Sequence, residues 1–246
     1  MSVLSALRAL LFPPRCLCCG KRIDRTHALC ETCALQLERD MRTQCPDCFL
    51  EYASCHCAPA CVRRAGVSAL LKLAPYREDG AHSAARRIIL RMKTRPNARA
   101  FSFLALELAA ILRPFLAERN ESDASVTQAV IAWLPRSRRN LRRYGFDQAK
   151  ELARVLGRET GLPVVSLLKR LRDTRPQKEL TARERRENVR GCFALAEDVR
   201  GMRVILVDDV ITTGEGMAEA ARMLRRGKAA DVVLVSVAVT PRRSRK

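Results

Sequence analysis

The run Met202-Arg-Val-Ile-Leu-Val-Asp-Asp-Val-Ile-Thr-Thr-Gly-Glu-Gly-Met217 constrains the fold more than any other stretch of the chain. Residues 204–207 are continuously apolar and rich in β-branched side chains, the pattern of a parallel strand covered on both faces. Asp208 and Asp209 follow at its carboxyl end. Thr212, Thr213 and Gly214 then give a tight turn of hydroxyls and backbone N–H groups, and residues 217–226 have helical periodicity, which sets the turn at a helix N-terminus. Such an end holds phosphate through its N–H donors and the positive pole of the helix dipole. In an open α/β sheet, ligands settle at the carboxyl ends of the strands, where this turn falls.

Two carboxylates beside a phosphate cradle would repel an anion unless they face something else. Sugar hydroxyls, or a divalent cation carrying a diphosphate, resolve the conflict, and a 5-phosphoribosyl group has both. The run resembles the ribose-5-phosphate motif of type I phosphoribosyltransferases. That resemblance implies that Asp208 and Asp209 hold the ribose hydroxyls, with Thr212, Thr213, Gly214, Glu215, Gly216 and Met217 around the 5-phosphate. Gly216 stands where the family usually has Ser or Thr, and Glu215 adds negative charge to the loop. The plain alternative is a buried strand ending in a Thr-capped helix.

The cysteines give the second constraint. Ten of the eleven lie between Cys16 and Cys61 in paired spacings, with no cleavable export signal ahead of them. Reduced, metal-bound thiolates fit that pattern better than disulfides. Cys16, Cys19, Cys30 and Cys33 form two C-x2-C knuckles ten residues apart, the spacing of a closed, structural Zn²⁺ site. Cys18 lies inside the first knuckle and is unassigned. Cys45 and Cys48 make a third knuckle, for which Cys55, Cys57 and Cys61 compete for two places; a second zinc, or free or disulfide-bonded thiols, remain open there. So small a segment buries little core, so metal would supply its folding free energy. Cys33→Ser is therefore expected to unfold residues 1–62 while leaving a separately cored domain at 63–246 intact.

At 246 residues and 48% hydrophobic content, the chain has room for one full domain plus this appendage. The net charge of +20 suits nucleic acid, phosphorylated metabolites or an anionic membrane surface, and equally a merely solvated Arg-rich exterior. Residues 1–12 carry apolar side chains at helical spacing, Val3, Leu4, Leu7, Leu10 and Leu11, and are read as a short helix packed on the body. No apolar run is expected to reach the roughly 18 to 20 residues of a membrane span, so the expected compartment is the cytoplasm.

Along the remaining chain, residues 67–73 read as a strand, 86–93 as a basic helix broken at Arg95-Pro96-Asn97, 101–115 as an apolar-faced helix and 129–134 as a second buried strand. That strand ends in Pro135-Arg136-Ser137-Arg138-Arg139-Asn140. If the two buried strands are neighbours, this loop faces the carboxylates across one cleft, where Arg136, Arg138 or Arg139 could hold a diphosphate. A basic surface connection is the alternative. Residues 149–158 form a helix, 167–188 a charged segment that could serve as a lid or a partner-binding arm, 193–195 a return to β pattern, and 231–239 a last strand. Alternating strands and helices argue an α/β fold with a parallel sheet flanked by helices.

Taken together, the knuckles, residues 76–93, Leu134-Pro135 with Arg138 and Arg139, Gly145-Phe146-Asp147-Gln148, then Gln177, Leu180, Arg183 and Asn188, and finally 207–214 resemble the ComF family over nearly the whole chain. The resemblance implies a type I phosphoribosyltransferase-like domain behind a double zinc ribbon-like module, associated with natural transformation and the handling of incoming single-stranded DNA. Tyr144 stands for an expected Arg and Asp147 for an expected Asn, departures that bear on turnover more than on fold. Two functions follow. One is a Mg²⁺-dependent transferase moving ribose 5-phosphate from phosphoribosyl diphosphate to an acceptor. The other is a non-catalytic DNA-uptake adaptor that binds single-stranded DNA or a helicase-like partner. The aromatic fraction of 4% argues against a base-stacking platform but not against phosphate contacts.

Overall fold

The computed structural model describes residues 13–77, 83–94, 97–120, 126–174 and 181–241. The expected helix at 1–12, the break at Arg95-Pro96, the family positions Gln177 and Leu180, and the basic tail at 242–246 lie outside them. The Cys-rich region holds two helices, α1 (Glu31–Met41) and α2 (Ala60–Arg63), with a 3-10 turn at Tyr52–Ser54 between them. The chain continues through β1 (Ala69–Pro75), α3 (Ala84–Thr94), α4 (Ala98–Asn120), β2 (Gln128–Trp133), α5 (Arg138–Tyr144) and α6 (Gln148–Thr160). Then come β3 (Leu168–Arg170), α7 (Ala182–Val189), β4 (Phe193–Leu195), β5 (Met202–Ile211), α8 (Glu215–Arg226) and β6 (Asp231–Val239).

β5 and β6 form the centre of an all-parallel sheet of order β1-β6-β5-β2. Every residue of β6 is buried, as a strand covered on both faces requires. Because side chains alternate along a strand, the two faces feed two cores. Ile205 and Val207 pack with α3, α4 and α6 on one side, while Val204 and Leu206 pack with α8 on the other. Local signals set the helix ends: Asp147 accepts from Lys150 N at the start of α6, Gly161 takes the left-handed conformation at its end, and Thr181 and Glu184 form a capping box on α7.

The 193–195 segment is a strand, as its β pattern indicates: β4 pairs antiparallel with β3 in a separate two-stranded sheet, Leu168 opposite Leu195. Two expectations change. The Cys-rich region does not have its own core around the first knuckles. Cys16, Leu17, Cys18, Leu29, Cys33 and Leu37 belong to the same apolar cluster as Leu71, Ile88, Leu104 and Val233, and the α1 carboxylate of Asp40 accepts from Ser83 Oγ (3.0 Å) and Ala85 N (3.1 Å) at the start of α3. A small knuckle with little apolar surface gains more by joining an existing core than by building one. Finally, α4 is by length and composition apolar enough to cross a membrane, contrary to the expectation that no run is. Its Leu104, Leu108 and Leu112 are fully buried against α6 and the sheet, which accounts for the composition without a bilayer.

Candidate functional site

β2 ends at Trp133, opposite Val207, and its chain leaves the sheet after Leu134 N donates to Val207 O. β5 runs on alone against β6, with Asp208 opposite Ser236 and Val210 opposite Ala238. The two carboxylates therefore stand where one neighbour of the strand has stopped and the strand itself has not. The apolar run of 204–207 gave the strand's core, and its hydrogen-bonded length reaches Ile211 because β6 is long enough to pair it.

Strand alternation separates the two acids. Asp209, only 5% exposed, lies on the α3 face, where Lys93 Nζ comes within 3.1 Å of its Oδ2 and Arg136 Nη2 within 3.7 Å. Its Oδ1 accepts from Val210 N at 2.9 Å. Asp208 is partly exposed and accepts from Asp209 N at 2.9 Å. Burial and the adjacent Asp209 push the Asp208 carboxyl well above its ordinary range. Burial opposes the charge on Lys93, but the Asp209 carboxylate outweighs it and raises the Lys93 pKa. The pair is thus not two equivalent hydroxyl acceptors: Asp209 is already matched with cations, and Asp208 is the acid left facing out. Lys93 was not a sequence candidate. Its position near the end of a basic helix carried no sign that the helix would aim it at the strand.

The turn after β5 has the conformation an anion cradle needs. Gly214 is left-handed (φ 79°), and α8 begins at Glu215, two residues before its apolar periodicity does. Its N-cap, Gly214, makes no side-chain cap, and the first amides of such an end are suited to an anion. A Cβ on Gly214 would lie 3.0 Å from Val62 Cγ2 and 3.3 Å from Pro59 Cγ, so residues 59–62 are packed hard against the turn. At Gly216 the nearest obstacle is Leu134 Cδ2 at 3.7 Å, an ordinary contact. Thr212 is exposed, Thr213 partly so, and Glu215 and Met217 are buried; among the described residues the Glu215 Oε2 has no hydrogen-bond partner.

The condition on the two buried strands is met: β2 lies beside β5, so the Pro135–Asn140 loop borders the cleft. The arginine that enters is Arg136, however, not Arg138 or Arg139. Ser137 caps α5 by accepting from Asn140 N, the amides of Arg138 and Arg139 donate to the Asp173 carboxylate (2.8 and 3.2 Å), and both side chains are exposed. Once the helix starts at 138, successive side chains fan around its axis, while Arg136 stays in extended chain beside the strand end. Its guanidinium lies 5.1 Å from the Tyr144 ring, and Asp147 Oδ2 accepts from its backbone N–H. Tyr144 and Asp147, two of the three departures from the family pattern, thus both support Arg136. Pro135, Arg136, Arg138, Arg170, Arg172 and Asp173 line an adjoining cavity of about 380 Å³.

The cysteines form two quartets whose sulfurs lie within 4.8 Å of one another: Cys16, Cys19, Cys30 and Cys33, and Cys45, Cys48, Cys55 and Cys57. A tetrahedron of Zn–S bonds of about 2.3 Å sets its sulfurs about 3.8 Å apart. Cys19 and Cys30 Sγ are 3.7 Å apart, close to that spacing, and Cys48 and Cys55 Sγ are 3.3 Å apart, so both quartets fit a metal with little adjustment. Burial works against the Cys16 thiolate, but the backbone N–H groups of Cys18, Cys19 and Cys30 converge on it and bring its thiol down to about 6. Of the three competing cysteines, Cys55 and Cys57 lie in the second cluster, whereas Cys61 donates to Thr213 O (3.3 Å) beside the turn, and burial, with Glu215 nearby, pushes its thiol up. Cys18 is buried in the main core.

The phosphoribosyl transferase domain family matches residues 141–246. The DNA utilization protein YhgH of Salmonella typhimurium is 30% identical over 227 residues, 91% of this chain and 96% of that protein. The protein of the same name from Escherichia coli K12 is 28% identical over equal shares. Competence protein F of Haemophilus influenzae is 39% identical over 88 residues, 34% of this chain and 38% of that protein. With one relative aligned over almost its whole length and a phosphoribosyl transferase domain covering the strand, the acids and the cradle, the chain belongs to the ComF family of phosphoribosyltransferase-like proteins.

Proposed function

We propose that the chain binds phosphoribosyl diphosphate with Mg²⁺ at the carboxyl end of β5, and that it works in the cytoplasm on the uptake and use of incoming single-stranded DNA. The observation that carries the first half is the placement of Asp208: a partly exposed acid, raised by burial, at the point where β2 stops and one turn ahead of an uncapped helix end. In this reading the first amides of α8, with Thr212 and Thr213, take the 5-phosphate, and Asp208 accepts from a ribose hydroxyl. Asp209 positions Lys93 and Arg136, which face the diphosphate together with Pro135. Mg²⁺ would neutralise diphosphate charge and relieve the crowding of the two acids. Arg138 and Arg139 stand at the rim.

The DNA half rests on the names borne by the relatives and on α5, which exposes Arg138, Arg139, Arg142 and Arg143 on one short helix beside the cleft. Zinc in the two quartets is structural, and residues 1–62 are a metal-bearing module on the phosphoribosyltransferase-like domain of 63–246. Transferase and adaptor share all of this and differ in one respect: a transferase releases pyrophosphate when an acceptor is supplied, whereas an adaptor holds the donor without turnover.

Thermal melting tests the ligand. At a hundredfold excess over Kd a native-state ligand adds about 2.7 kcal/mol of stability, so the midpoint should rise by several degrees with donor and Mg²⁺ together and little with either alone. No shift with both would refute the donor reading. For DNA, affinity for a single strand should fall steeply with salt and depend little on sequence, because counterion release counts charges. A flat salt response would return the basic surface to plain solvation.

A further inference from the structure

Lys72 is the buried ammonium that neither the sheet nor the cleft explains. It lies in the middle of β1, opposite Ser236 of β6, and is 2% exposed. Among the described residues no ion pair joins it to a carboxylate. An isolated buried charge is strongly unfavourable, so an unmatched lysine here needs an anion close by. Its three N–H donors are all directed at one place: Cys55 O at 2.7 Å, Cys57 O at 3.0 Å and Cys55 Sγ at 3.2 Å. The Tyr52 ring, 5.5 Å away, covers another side.

We propose that Lys72 is the outer partner of the second metal centre, donating to the Cys55 thiolate and offsetting the negative charge of a four-thiolate site. This rests on the metal reading of Cys45, Cys48, Cys55 and Cys57. Four thiolates around a divalent ion leave a net charge of about −2, and one ammonium within hydrogen-bond reach halves it. The same contact explains where the quartet docks. The carbonyls of Cys55 and Cys57 are held by Lys72, and His56 O accepts from Leu70 N, so the ligand loop lies against β1. The first quartet packs into the main core through apolar contacts; the second has a small buried cluster of its own and meets β1 through Lys72 and the Leu70–His56 backbone hydrogen bond.

Lys72→Met keeps the length of the side chain and removes donor and charge. In the full-length protein loaded with zinc, transfer of the metal to a chelator should show two ions, one of which leaves about 10- to 100-fold faster in the variant, the usual effect of losing such a partner. In Cys48→Ser, which disables the second site, adding Lys72→Met should leave release of the remaining ion unchanged. With Co²⁺ in place of zinc, the sulfur-to-metal charge-transfer band should move to lower energy, because a thiolate without its hydrogen bond is easier to oxidise. A merely structural lysine would not move that band. Should Lys72→Met fail to fold, Lys72→Gln, which loses the charge, carries the release readout in the same direction. Wild-type release and an unshifted band in a folded variant overturn the role of Lys72. A wild-type protein holding only one zinc overturns the metal reading beneath it.

Discussion

Lys93 Nζ lies 3.1 Å from Asp209 Oδ2, so the last turn of α3 and the acidic end of β5 are held together by an ion pair inside the cleft. The pair brings one wall of the cleft to its floor, and it leaves the neighbouring Asp208 as the acid free to meet a ligand. Lys93→Met should lower stability at neutral pH by about 2 kcal/mol, discounted because Lys93 is about a quarter exposed. The sign follows from the raised Lys93 pKa: its contribution is full below the unfolded value of about 10.4 and is lost as pH rises through the higher folded value. Denaturant melts of wild type and variant should therefore differ at pH 7 and converge only in strong alkali.

Asp208 runs the other way. Its folded pKa is raised, so the folded state holds the proton more tightly than the unfolded chain does, and stability falls as pH rises from about 4 through the folded value. Asp208→Asn should raise the melting midpoint of the ligand-free protein by a few degrees at pH 7.5 and by almost nothing near pH 4. A lower midpoint at pH 7.5 would show that the carboxylate is better satisfied than its burial suggests.

Gly216 is the position where a family hydroxyl is missing, and the structure leaves room for one. Gly216→Ser should tighten binding of the phosphate-bearing ligand by roughly three- to tenfold, about one hydrogen bond, without loss of stability. Titration calorimetry of the variant against wild type reads this directly; equal affinities would mean that the turn does not hold the 5-phosphate.

The shared core changes what a broken knuckle does. Cys33 is buried among Leu71, Ile88 and Leu104 rather than in a module of its own. Cys33→Ser should therefore lower the midpoint of the entire chain along with its zinc content, in one transition rather than two. Two separated transitions, with the sheet melting as in wild type, would restore the picture of independent cores.

The parts legible in the sequence are those set by local pattern. The apolar runs at 204–207 and 231–239 announced central strands because burial on both faces leaves no place for polar alternation, and the C-x2-C spacing announced the first quartet. The helix after the turn followed from the same logic, whereas the adjacency of the two buried strands entered only as a condition that the pairing of β2 with β5 meets. What stayed hidden depends on how elements cross in space. Lys93 meets Asp209 because α3 packs over the neighbouring β6 and its last turn reaches the end of β5; Arg136 rather than Arg138 enters the cleft because α5 starts one residue after Ser137. Cys57 rather than Cys61 completes the second cluster because residue 61 is already in α2, against the turn that follows β5. Lys72 looked like an ordinary strand residue until the ligand loop was laid against it.

Each hydrogen bond from a ribose hydroxyl to a carboxylate is charge-assisted, worth about 1.5 to 3 kcal/mol, so loss of one weakens binding roughly ten- to a hundredfold. Calorimetric titration of phosphoribosyl diphosphate into wild type and into Asp208→Ala/Asp209→Ala, with and without Mg²⁺, is the most direct measurement of the site. The account predicts metal-dependent binding by wild type and none by a double variant that still melts cooperatively. Binding indifferent to the metal and to both substitutions, or no binding by folded wild type, would contradict it.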